Sequence, residues 1–68
     1  MALSARNRLS GTVTNVESNG PVAEVTVEIA GGETLAATIT AESVKRLGIA
    51  EGEEVDAVIK ASSVMIES

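Results

Sequence analysis

Three short segments of this chain carry side chains suited to binding chemistry, and all three are rich in hydrogen-bond donors. Ser4-Ala5-Arg6-Asn7-Arg8 sets two guanidinium groups around an amide, just after a hydroxyl. Thr40-Ala41-Glu42-Ser43-Val44 places two hydroxyls at the start of a helical pattern, where unpaired backbone N–H groups and the positive end of the dipole gather. Lys60-Ala61-Ser62-Ser63 ends an apolar strand with an ammonium group, followed by small residues whose backbone a ligand can approach closely. A tetrahedral oxyanion that is fully ionised at neutral pH accepts hydrogen bonds and donates none. Its ideal site combines backbone N–H groups, hydroxyls and one or two cations. Taken singly, each segment has an ordinary explanation: a helix cap, a lysine at a strand end, a soluble surface. Taken together, they assemble the donor set an oxyanion needs.

Other chemistries are poorly served. The chain has no Cys and no His, so a nucleophile would have to be Ser or Thr activated by Lys or a carboxylate, and catalysis is not expected. The nine Glu and one Asp are spread over turns and outward strand faces and do not form the dense carboxylate loop that calcium requires, so no bare metal cation is expected. Ten acidic against five basic residues give a net charge of −5, which opposes binding to a phosphate backbone. Single-strand binders stack bases on aromatic rings, and this chain has none. The N-terminus lacks the apolar run of a signal peptide, and no apolar stretch is long enough to span a bilayer. A cytoplasmic location without membrane contact is therefore expected.

The elements that must position these segments follow from the hydrophobic pattern. Leu9 to Glu17 is rich in Thr and Val and ends at the turn residues Asn19-Gly20-Pro21, which predicts a first strand. Val22 to Ile29 alternates cleanly, with Ala23, Val25, Val27 and Ile29 on one face, and Gly31-Gly32 turns the chain again. Thr34 to Thr40 repeats that pattern through Leu35, Ala37 and Ile39. Thr40 then caps a helix with Glu42 in its first turn and Lys45 and Arg46 in its last, stopping at Gly48. Glu54 to Lys60 forms a fourth strand with Val55, Ala57 and Ile59 inward, and Ser63 to Ile66 a short fifth. The expectation is a single all-β domain over residues 1–68: a small five-stranded OB-like barrel with one short helix between strands 3 and 4.

A chain of 68 residues buries only about 60% of its unfolded surface and is marginal alone. With no Cys for disulfides and no His or Cys for a structural metal, oligomerisation is the remaining source of stability. A core limited to Val, Ile, Leu and Ala suits a tight assembly of small subunits.

SARN near the N-terminus, ITAESV before the helix and VIKASSVMI at the C-terminus resemble the molbindin (Mop) family of small cytoplasmic molybdate-binding proteins, over nearly the whole chain. The resemblance implies an OB-like fold, a hexamer of identical subunits, and molybdate or tungstate held between subunits for intracellular storage and molybdenum homeostasis. Carried over by position, the site would use Thr40 and Ser43, the ammonium of Lys60, the backbone around Ala61 and Ser62, and Ser4, Ala5 and Arg6 from a neighbouring subunit. Arg8 would lie on the surface or in an intersubunit pair. The hairpin ESNGP departs from the basic residue and Gly that family members often carry there, which bears on a second oxyanion site near the symmetry axis. The competing reading is an oligomeric OB module that binds a protein or nucleic acid and holds no oxyanion.

Overall fold

The computed structural model describes residues 5–68. Its elements are β1 (Ala5–Asn19), β2 (Val22–Ile29), β3 (Thr34–Thr40), α1 (Ala41–Leu47) and β4 (Glu54–Lys60), followed by a single 3₁₀ turn over Ala61–Ser63. The four strands form one antiparallel sheet in the order β3-β2-β1-β4.

β1 is the spine of the sheet. Its first part, Ala5 to Thr12, pairs with β4, and its second, Gly11 to Asn19, pairs with β2. Gly11 sits where the two pairings overlap, opposite Ile29 on one side and Val55 on the other. A Cβ there would come within 2.6 Å of the Glu28 carbonyl oxygen and of a Val27 methyl carbon, so only glycine fits this close approach of neighbouring strands. β1 also bulges twice. One register shift falls between Ala5 and Asn7, the other between Val13 and Asn15.

The alternation in β2 is realised as expected: Ala23, Val25 and Val27 are buried, and with Val13 of β1 they form the core. Val16, Ile29, Ile39, Val44, Ile49 and Val55 pack around it at half burial. β3 and β4 bury the expected faces only halfway, because both are edge strands. Leu35, Ala37 and Ile39 of β3 and Val55, Ala57 and Ile59 of β4 line an open apolar groove of about 540 Å³ whose floor includes Val13, Val25 and Val27.

α1 begins and ends where the sequence places it. The Thr40 hydroxyl accepts the Ser43 N–H at 3.0 Å, and Gly48 adopts the left-handed conformation (φ 68°, ψ 34°), donating its N–H to the Lys45 and Val44 carbonyls. The Ala41 N–H donates to the Pro21 carbonyl at 2.9 Å, which ties the start of the helix to the β1–β2 turn.

Two expectations need correction. β1 extends over 15 residues and begins at Ala5, whereas the apolar pattern predicts Leu9 to Glu17. Residues 5–8 have no hydrophobic alternation and become strand only because β4 pairs with them. The fifth strand over Ser63–Ile66 is not a strand here. The 3₁₀ turn, closed by a 3.4 Å Val64 N–H to Ala61 carbonyl bond, leads into an irregular tail with Met65 and Ile66 about nine-tenths exposed. A strand requires a partner for its N–H and C=O groups, and the tail has no strand partner among the described residues. The sheet is therefore four-stranded.

Candidate functional site

The pairing of β1 with β4 brings two of the three donor segments to one corner of the sheet. Ala5 stands opposite Lys60, and Asn7 opposite Ile59. Arg6 is the extra residue of the bulge, and its side chain is exposed, as is that of Lys60. The 3₁₀ turn carrying Ala61 and Ser62 follows Lys60 directly and rests against β1. One corner thus presents a guanidinium, an ammonium and a small-residue turn. Ser4 lies outside the described residues.

Arg8 is occupied differently. It lies opposite Val58, and its guanidinium donates to the Asp56 carboxylate at 3.3 Å, the one ion pair among the described residues. Ser10 donates to the same carboxylate at 2.9 Å, and Thr12 to Glu54 at 3.2 Å, so this outer face of β1 and β4 is a ladder of matched polar side chains. Neither Arg6 nor Lys60 has a carboxylate within ion-pair distance among the described residues.

Thr40 and Ser43 occupy a different corner. The Thr40 hydroxyl accepts the Ser43 N–H and donates to Ser43 Oγ at 2.7 Å, which leaves the Ser43 hydroxyl hydrogen available to a ligand. Arg46, one helical turn further on, reaches back to within 3.5 Å of Ser43 Oγ. This third cation is what the sequence reading missed, because it treats Arg46 only as a complement to the helix dipole; the i, i+3 spacing from Ser43 is the signal.

The two corners are far apart in strand terms. Thr40 is in register with Val22, which is in register with Asn19 at the C-terminal end of β1, whereas Lys60 faces Ala5 at the N-terminal end. They also lie on opposite edge strands, with α1 packed on β2 and β3. The fold therefore joins Ala5 and Arg6 with Lys60, Ala61 and Ser62 within one chain, where the resemblance assigns Ala5 and Arg6 to a neighbouring subunit, and it separates Thr40 and Ser43 from them. Among the described residues, no group of His, Cys, Asp or Glu is arranged to hold a metal ion.

The sequence pattern of the TOBE domain matches residues 3–66. The chain belongs to the TOBE-domain family. Molybdenum-pterin-binding protein 1 of Clostridium pasteurianum is 47% identical over 66 residues, which cover 97% of each chain. The fold is similar to that of MopII from the same organism, with a TM-score of 0.92 at 43% identity over 98% of this chain and all of that one. It is also similar to ModG, described as a cytoplasmic molybdate-binding protein and solved with molybdate bound, with a TM-score of 0.91 at 45% identity over 96% of this chain and 46% of that one. All three donor segments fall within the matched span.

Proposed function

We propose that this chain binds molybdate, or the near-isosteric tungstate, as an intracellular store that contributes to molybdenum homeostasis, and that it acts by binding and not by catalysis. The observation that carries this reading is the β1–β4 corner, where Arg6 bulges out beside the Ala5–Lys60 pair and neither cation has a carboxylate within ion-pair distance among the described residues. Two cations left unpaired at one corner suit a dianion, which can accept charge-assisted hydrogen bonds from both. Molybdate accepts hydrogen bonds only, which matches a corner made of a guanidinium, an ammonium, hydroxyls and backbone N–H groups. The relatives named for molybdenum binding and the molybdate-bound ModG support the choice of ligand, and the description of ModG supports a cytoplasmic location.

The site we propose draws on two chains. Ser4, Ala5, Arg6, Lys60, Ala61 and Ser62 form one half, and Thr40 and Ser43 of a second copy form the other. The separation of the two corners within one chain favours this division. The assembly we propose is a hexamer of identical subunits. Two further observations support association: the edges of β3 and β4 are both open along an apolar groove, and Val64, Met65 and Ile66 are exposed on a tail that pairs with no strand among the described residues. A tail from a second copy entering that groove would supply the fifth strand and cover both edges.

Equilibrium dialysis against molybdate, with metal content read by elemental analysis, tests the function. Saturable uptake that excess phosphate does not displace is expected, because phosphate is partly protonated near neutral pH and its O–H would meet only donors. Absence of uptake would favour an interaction module without an oxyanion.

A further inference from the structure

We infer that Asn7 is a positioning residue for the anion site, holding open the β1 bulge that keeps Arg6 out of direct opposition to Lys60; this rests on the proposed reading of Arg6 as an anion ligand. The register contains the reason. From Thr12 back to Asn7, β1 descends one residue for each residue β4 ascends: Ser10 faces Asp56, Arg8 faces Val58 and Asn7 faces Ile59. One more step without interruption would put Arg6 opposite Lys60. The strand instead inserts Arg6 as an unpaired residue, and Ala5 takes the place facing Lys60.

That insertion changes the electrostatics of the corner. Two cations directly opposed on neighbouring strands repel one another at close range. Displaced by the bulge, the guanidinium and the ammonium belong to offset positions, with Ala5 and not Arg6 in register with Lys60. An anion can then be reached by both cations from different directions.

Asn7 is the residue in a position to enforce this arrangement. Its side-chain Nδ2 donates to the Ile59 carbonyl at 3.2 Å, from a half-buried position, across the very pair where the register breaks. Asparagine is disfavoured in strands, so its place here calls for a specific bond. A bulge is one register choice among several, and strands slip where the pattern does not pin them. Residues 5–8 have no hydrophobic alternation that could do so. The carboxamide bond supplies the missing constraint, and the neighbouring Arg8–Asp56 pair anchors the strand on its other side.

The test is a double-mutant cycle read by molybdate titration. Arg6→Ala should weaken binding tenfold or more, and Asn7→Ala at least about fivefold, because one hydrogen bond's worth of preference for the bulge is lost. In the Arg6→Ala background, Asn7→Ala should cost less than about twofold, since the residue acts through Arg6. Equal losses in both backgrounds, or no loss in the wild-type background, would overturn the inference. Cross-strand NOEs recorded without anion give a second readout. Lys60 should face Ala5 in the wild-type protein, and in Asn7→Leu it should face Arg6 or lose its partner; an unchanged register in Asn7→Leu would also overturn it. Wild-type protein that takes up no molybdate would defeat the functional reading instead, while the NOE measurement would still decide whether Asn7 holds the bulge.

Discussion

Removing Lys60 and removing Arg8 each delete one positive charge, yet the two losses should differ by about an order of magnitude. Lys60 stands at the bulged corner and has no carboxylate within ion-pair distance among the described residues, so its ammonium is available to the anion. Losing a charge-assisted hydrogen bond costs about 1.5–3 kcal/mol, which is roughly a tenfold to hundredfold loss of affinity. Arg8 is committed to Asp56 at 3.3 Å and its side chain is 60% exposed. It lies two residues beyond Arg6, about 7 Å further along the strand, so an anion at the corner is about 10 Å from its guanidinium. In water a unit charge and a dianion at that distance interact by about 0.8 kcal/mol, and screening at physiological salt, with a Debye length of about 8 Å, cuts this to about 0.2 kcal/mol. Arg8→Ala should therefore weaken binding by less than about twofold. The assay is calorimetric titration of each variant with molybdate, after sedimentation has shown that each is assembled like the wild-type protein. Equal losses for the two variants would mean that binding follows overall charge, and the corner site would be wrong.

The remaining predictions concern the parts that hold this corner in place. Gly11→Ala should lower stability by about 1–3 kcal/mol in chemical denaturation, because the added carbon meets the Glu28 backbone oxygen, which cannot swing aside as a flexible side chain can. Ser43→Ala should weaken molybdate binding with little change in melting temperature, since the Thr40 hydroxyl can still accept the N–H of residue 43; Thr40→Ala should cost about 1 kcal/mol of stability as well, through loss of the cap. Deleting residues 64–68 removes three exposed apolar side chains and should shift the protein toward smaller species in sedimentation; an unchanged assembly would show that the tail lies outside the interfaces.

The sequence was most legible where a local pattern coincided with the final environment. β2, β3 and β4 occupy the predicted residues because each alternates apolar and polar positions, and α1 ends at Gly48 because the glycine there adopts the left-handed conformation. The N-terminal extension of β1 was not legible. Ala5 to Arg8 reads as a polar, basic arm, and only its pairing with β4, more than 45 residues away in sequence, makes it a strand. The tail differs for the opposite reason: Ser63–Ile66 has the composition of a strand, but in the single chain it meets no strand partner among the described residues. The same division applies to the site. Residue type alone picked out the donor segments, and Thr40 and Ser43 do form the expected cap. The placement of Arg6 beside Lys60 in one chain, the reach of Arg46 to Ser43 and the bond from Asn7 to Ile59 are long-range or rotameric facts that a linear pattern does not encode.

The most direct test of the proposed site is to locate the anion itself. Crystals grown with molybdate, with diffraction recorded at the molybdenum absorption edge, give the metal's position independently of any assumed ligand. An anomalous peak is expected within hydrogen-bonding reach of Arg6 and Lys60 of one chain, with Thr40 and Ser43 of a second chain completing the shell. A peak away from both arginine and lysine, or one enclosed by residues of a single chain, would contradict a two-chain site built on the β1–β4 corner.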